Sequence, residues 1–194
     1  SIIEQRTRVP VAITANTKAD ITLALDPTLQ GDEHYRIAAS HKGIALTGST
    51  TAALYRAVMT LDQLLLGDLL ATANDEMSPI IIDDAPRFAR RALMLDPARH
   101  FLPVEDVKFF IDQMAKYKYN VLQLHLTDDQ GWRVAIHSHP RLASQQHYTQ
   151  DELRDIIHYA AQRHIEVVPE VDIPGHTVAI LASYPELSCS HLKE

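Results

Sequence analysis

The sequence predicts an α/β chain in two parts: a small α+β domain over residues 1–85, then parallel βα units over residues 86–194. Three observations carry this. In the first part, short strand-like runs are followed by a single stretch at helical spacing. In the second, three apolar runs alternate with helix-length amphipathic segments, an order that calls for parallel strands joined by helical crossovers. Between the two parts stands Asp83-Asp84-Ala85-Pro86, which reads as a boundary.

Taken in order, residues 9–15 and 21–25 are candidate strands around a polar turn at 16–20. Residues 35–40 and 43–47 read as a hairpin over His41-Lys42-Gly43. Leu54, Ala57, Val58, Leu61, Leu64 and Leu65 then mark one helix face, with Ser49 or Thr50 as N-cap and Gly67 as the stop. Residues 79–82 return as a strand. In the second part, 92–95 is a strand ending in Asp96. Pro103 suits a first helical turn, and Val107, Phe110, Ile111 and Met114 form one face of the following helix. Residues 120–126 are the next strand. Thr149 and Glu152 have capping-box spacing ahead of Leu153, Ile156, Ile157 and Ala160. Residues 165–169 are the third strand, and 177–184 open another helix. The alternation fits a (β/α)8 barrel or an open doubly wound sheet. No glycine-rich phosphate loop follows the first strand, which counts against a nucleotide-binding sheet.

Composition narrows the classes. Hydrophobic content of 46% with 22% charged residues fits a globular chain with a core. No apolar run approaches the ~18 residues of a membrane span, so no span is expected. A net charge of -7 argues against nucleic acid as a partner. The single cysteine, Cys189, excludes an intrachain disulfide and a thiolate metal cluster. No signal peptide is read at Ser1, and the compartment stays open.

Each strand of the second part ends in ionisable residues. Asp96 and Arg99 follow the first, His125, Asp128 and Asp129 the second, and Glu170, Asp172 and His176 the third. In parallel βα folds the carboxyl ends of strands face the ligand site. Three elements delivering charge to one edge exceed what a solvated face requires. Singly, each has a plainer reading: Asp96 as a loop brace, His125 as a hydrogen-bonded core histidine, His137 and His139 as exposed loop residues. Arg91, directly before the first strand, suits bidentate recognition of vicinal hydroxyls or a carboxylate, while Arg90 reads as a surface residue.

Four motifs then appear in order. They are Arg91-Ala-Leu-Met-Leu-Asp-Pro-Ala-Arg-His-Phe, His125-Leu-Thr-Asp-Asp-Gln-Gly-Trp-Arg, Tyr148-Thr-Gln-Asp-Glu and Pro169-Glu-Val-Asp-Ile-Pro-Gly-His176. Together they resemble the family 20 glycoside hydrolases, the β-N-acetylhexosaminidases, across residues 86–194. The earlier segment, with Gly31-Asp-Glu-His-Tyr-Arg and its leucine-rich helix, is similar to the small domain preceding the barrel in that family. Two departures stand out: Ala92 where the family has glycine, and Arg90 where an aromatic residue is common.

The resemblance implies the first three βα units of a (β/α)8 TIM barrel, incomplete in this chain. It implies a retaining enzyme that removes terminal N-acetylglucosamine or N-acetylgalactosamine from glycans, without cofactor or metal. The family departs from the two-carboxylate scheme, because the substrate's acetamido oxygen is the nucleophile. By carry-over, Arg91 would hold the sugar's 3- and 4-hydroxyls, braced by Asp172. Asp128 and His176 would form a relay to the acid, with Asp129 as the alternative to Asp128. The family's Asp-Glu pair on the fourth strand has no counterpart: Asp32-Glu33, Asp75-Glu76 and Asp151-Glu152 lie in other elements. The family's sugar-pocket tryptophans come from later strands, and Trp132 is the sole tryptophan here. A fragment needing the rest of the parent chain's barrel is therefore expected, from a periplasmic, extracellular or lysosome-like setting. Two further readings are a non-catalytic sugar-binding module and a metal-dependent hydrolase. The second would rest on His125, Asp128, Glu170, Asp172 and His176, whose types suit zinc or magnesium.

Overall fold

A computed structural model describes residues 3–4, 8, 10–15, 19–66 and 79–189, in two compact units, Ser1–Ala89 and Arg90–Glu194. The first unit is one sheet carrying one helix. In chain order it contains β1 (Ile21–Leu25), β2 (Tyr35–Ser40), β3 (Gly43–Gly48), helix α1 (Thr51–Leu66) and β4 (Ile80–Asp84). The sheet order is β1-β3-β2-β4, with β1 parallel to β3 and the other pairs antiparallel. Ser40 faces Gly43, so the hairpin turns on His41 and Lys42.

Alternation along β2 sends Tyr35, Ile37 and Ala39 inward, where they pack with Leu46 against Ala53, Ala57 and Leu61 of α1. Thr50 starts the helix: its Oγ1 accepts from the Ala53 N–H at 3.1 Å and donates to the Asp32 carbonyl at 2.6 Å. It, rather than Ser49, is the N-cap. Gly48 lets the helix begin close over β3, since a Cβ there would lie 2.7 Å from the Leu54 nitrogen.

Some expectations change here. Residues 10–15 form no strand, and Ile13 is fully exposed, so this run gains no ladder bonds and little burial beyond Val11. Val9, most of the 16–20 turn, Gly67 and Asp75-Glu76 lie outside the described residues. Asp83 and Asp84 are rungs of β4: Asp83 accepts from Arg36 Nε at 2.6 Å and Asp84 from the Tyr35 hydroxyl at 2.6 Å.

In the second unit, β5 (Ala92–Leu95), helix α2 (Val104–Lys116), β6 (Val121–His125), helix α3 (Gln150–Ala161) and β9 (Glu166–Glu170) form the βα repeat. A short hairpin, β7 (Thr127–Asp128) and β8 (Gly131–Trp132), follows β6, and helix α4 (Val178–Ser183) follows β9. Strands β5, β6 and β9 make a parallel sheet in that order. With the preceding α+β unit, this is the start of a (β/α)8 barrel.

Val107, Ile111, Met114 and Ala115 are the buried face of α2, and Phe110 is half-buried. Pro103 sits one residue before the helix. The capping box of α3 is formed on both sides, Thr149 Oγ1 accepting from Glu152 N–H and Glu152 accepting from Thr149 N–H. Ile156 and Ala160 are buried on α3, whereas Ile157 is exposed. Both helices return to the sheet through a left-handed residue, Lys118 (φ 60°) and His164 (φ 55°). In each turn the next residue's N–H reaches back to the last helical turn: Tyr119 to the Met114 carbonyl, Ile165 to that of Ala160.

The first unit's sheet has one wet face and one dry face, which yields a test. Ile37 is fully buried, while Ile81, on the adjacent strand and the opposite face, is 84% exposed. Ile37→Ala should cost about 2–5 kcal/mol, and Ile81→Ala within about 0.5 kcal/mol. Urea denaturation of both variants measures the difference; equal losses would contradict the assignment of faces.

Candidate active site

The polar residues singled out in the sequence divide between the two ends of the parallel sheet. Arg91 lies at the amino end. Its backbone N–H bonds to Asn120 Oδ1 at 2.9 Å, and its Nε donates to the Lys118 carbonyl at 2.8 Å. The side chain thus holds the turn that leads from α2 into β6. Asp96 follows the same strand at the other end, five residues on, about 16 Å away along an extended chain. Arg91, expected to hold the sugar with Asp172 as its brace, is thus corrected to the end of the sheet opposite Asp172 and the other clustered ionisable residues.

At the carboxyl end the three strands converge on Asp128. The ladder places His125 opposite Glu170, and the β7–β8 turn folds Asp128 back over His125. Asp128 is 2% exposed. Its Oδ2 lies 2.7 Å from His125 Nε2 and 2.7 Å from an Arg99 Nη. Its Oδ1 accepts from the Asp129 N–H at 2.7 Å and lies 3.2 Å from His176 Nδ1. Burial alone would raise its pKa, but the His125 and Asp129 hydrogen bonds and the charge of Arg99 outweigh that and hold it below the usual carboxylate value.

Asp129 is turned outward. It is about half exposed, sits 4.0 Å from His176, and its Oδ1 accepts from the Val178 N–H at 3.1 Å, helping to start α4. Of the two adjacent aspartates, Asp128 is the inward one. His176 is half-exposed and has φ 55°, a left-handed backbone that side chains other than glycine's rarely take. This strain is borne where the ring meets Asp128.

Arg99 brings a permanent cation to the site. It pairs with both Asp96 and Asp128 while leaving 47% of its side chain exposed. The Asp96 hydrogen bond, with further charge from Asp128 and Asp172, raises its pKa and keeps it ionised. Its place after the first strand was the available signal, since a residue following a parallel strand lies at the carboxyl end. Asp172 belongs to this end as well: its N–H donates to Thr127 Oγ1 at 3.0 Å.

Glu170 accepts from His125 Nδ1 at 2.9 Å and from the Gln123 amide. The Gln123 bond above all, with that of His125, lowers its pKa. The plainer reading of His125 as a core histidine covers its burial but not its partners, both of which are carboxylates.

Two residues brace this end from below. Trp132 is buried and donates to the Val134 carbonyl at 2.8 Å, so it offers no stacking face. Arg133, also buried, donates to the carbonyls of Pro97 (2.9 Å), Ala98 (2.9 Å) and Gln146 (3.0 Å). Burial pushes its pKa down. A Cβ at Gly131 would come within 2.4 Å of its guanidinium carbon, so the glycine makes room for it. His137 and His139 are exposed.

Two sets could supply metal ligands, His125 with Glu170 and Asp172, and Asp128 with Asp129 and His176, each within 4.8 Å. Their donor chemistry does not fit an ion well. Both ring nitrogens of His125 already face carboxylates, and Asp128 already carries the Arg99 guanidinium. No described helix is long and apolar enough to cross a membrane.

Comparison with known proteins follows the same division. Residues 88–194 match the model for "Glycosyl hydrolase family 20, catalytic domain", and residues 2–85 match that for "Glycosyl hydrolase family 20, domain 2". A β-hexosaminidase of Akkermansia muciniphila is 40% identical over 178 residues, covering 84% of this chain and 36% of the relative. A β-N-acetylhexosaminidase of Cellulomonas fimi is 41% identical over 173 residues, covering 82% and 34%. The solved N-acetyl-β-hexosaminidase of Streptomyces plicatus, in complex with Thio-NAglucal, superposes with a TM-score of 0.89 at 43% identity, over 97% of this chain and 41% of that one. The chain thus spans little more than a third of the length of these curated relatives.

Acid should weaken the cluster. The pKa values of Asp96, Asp128 and Glu170 are all depressed. Their contribution is present above the unfolded carboxylate range, about 4, and is lost as pH falls through the lower folded values. Asp128→Asn should flatten the loss of stability below about pH 4. Urea midpoints across that range measure it, and identical slopes for variant and parent would contradict the prediction.

Proposed function

The chain belongs to glycosyl hydrolase family 20, and from that premise we propose that it forms the first part of a retaining β-N-acetylhexosaminidase. The substrate class is glycans ending in N-acetylglucosamine or N-acetylgalactosamine. The reaction is substrate-assisted: the acetamido oxygen attacks the anomeric carbon while a glutamic acid protonates the leaving oxygen. The observation that carries this reading is the Asp128–His176 contact at 3.2 Å, set beside an ordered, half-exposed Arg99.

Each residue's part follows from its position. With Nδ1 turned to Asp128, His176 has its Nε2 edge left to meet the acid and tune its proton. Arg99 takes the sugar-holding part first assigned to Arg91, because its guanidinium is at the carboxyl end and already oriented by two carboxylates. Asp172 adds negative charge beside Arg99 rather than beside Arg91.

The acid itself comes from a segment outside these 194 residues. Among the described residues, each Asp-Glu pair is otherwise engaged: Glu33 with buried Arg56 at 2.7 Å, and Glu152 in the α3 capping box. The remainder of the parent chain's barrel is thus the partner this unit needs.

Two measurements test the proposal. The 194 residues alone should hydrolyse an aryl N-acetylglucosaminide negligibly, while the same residues extended by the rest of a family barrel should turn it over. Turnover by the short chain that disappears in Asp128→Asn would overturn the division of labour. In the extended protein, Arg99→Ala should lower kcat/KM by roughly 10–150-fold, the value of a lost charge-assisted hydrogen bond. Arg91→Ala should act through stability, with kcat/KM per folded molecule nearly unchanged. The reverse ranking would restore Arg91 to the sugar site.

A further inference from the structure

His125 is 3% exposed and has a carboxylate at each ring nitrogen: Asp128 Oδ2 at 2.7 Å from Nε2, Glu170 Oε1 at 2.9 Å from Nδ1. A neutral imidazole has one N–H, and an ionised carboxylate only accepts. Two such contacts therefore need either a doubly protonated ring or a proton on one of the acids. Asp128 does not hold that proton, because Arg99 and the Asp129 N–H also donate to it. Glu170 has the Gln123 amide on its other oxygen, which likewise favours the ionised form.

We infer that His125 is an imidazolium in the folded protein, a resident buried cation that positions Asp128 and Glu170. The charge inventory around it agrees. Asp128 faces it from the β7–β8 hairpin, Glu170 from β9, Asp172 from the loop beyond β9 and Asp96 from the loop after β5. Against these four carboxylates, Arg99 supplies one other cation, through Asp128. Burial alone would lower the pKa of the ring, and the bonds to Asp128 and Glu170 turn the balance upward.

Three consequences follow. A ring with both nitrogens protonated has no lone pair for a metal, which removes the nitrogen donor from the set with Glu170 and Asp172. By occupying Oδ2 of Asp128, the imidazolium leaves Oδ1 turned toward His176; that this orients a relay rests on the glycosidase reading. Because the folded pKa is raised, the stabilisation is full below the ordinary histidine value, about 6.5, and fades as pH rises through the folded value.

The ¹⁵N-labelled chain tests this without substrate. In two-bond ¹H–¹⁵N correlation spectra, assigned through bonds to its own Cβ, His125 should show two protonated nitrogens at pH 7 and keep them on the alkaline side of the ordinary histidine range. In Glu170→Gln the ring should lose its charge about 1 pH unit or more lower than in the parent. A bare ring nitrogen in the unsubstituted 194-residue chain at pH 7 would overturn the inference. So would an unchanged titration in a folded Glu170→Gln. The parent spectrum decides alone if that variant does not fold. No sugar enters the measurement, so its failure is distinguishable from a failure of the glycosidase reading.

Discussion

An ionised carboxylate buried to 2% exposure is tolerable only if its lost hydration is replaced by donors. Asp128 obtains them from separate stretches of chain: β6 through His125, the loop after β5 through Arg99, its own neighbour through the Asp129 N–H, and the loop after β9 through His176. No single helix or strand could provide that set. The three strands must lie parallel and in register before their carboxyl ends can meet at one oxygen pair. Site and sheet therefore require one another. The ladder brings His125 beside Glu170, and the clustered charges in turn favour the register that sets opposite signs side by side.

The same logic explains why the two ends of the sheet differ in kind. At the amino end Arg91 is engaged with backbone, tying the close of α2 to the start of β6. At the carboxyl end Arg99 is engaged with side chains and keeps nearly half its surface open. One arginine supports a turn. The other presents an ordered charge to whatever approaches.

Much of this was legible from residue order. The strands at 21–25, 35–40 and 92–95 match the observed ones residue for residue, because short apolar or alternating runs bounded by polar residues have few competing pairings. The capping box of α3 was equally plain, being local. What escaped depended on direction and on distance. Arg91 and Arg99 flank one strand, and only the polarity of that strand separates a turn-holding arginine from a site arginine. The rule that ligands gather at carboxyl ends already pointed to Arg99. His125 and Glu170 are 45 residues apart, and their contact exists only through the β6–β9 register. Residues 10–15 carry a strand's apolar alternation without the neighbour that completes a strand.

Arg133 carries one more implication. Its guanidinium has backbone carbonyls as hydrogen-bond acceptors, at Pro97 and Ala98 on one side and at Gln146 on the other. Two loops distant in sequence are thereby pinned to one planar group that cannot satisfy either from a shifted position. Loosening one frees the shared pin, so the two loops open as one cooperative unit with a common free energy rather than as independent flaps. The rim beneath Arg99 thus behaves mechanically as a single plate. A plate of that kind can keep a guanidinium aimed while the surface around it exchanges freely with water.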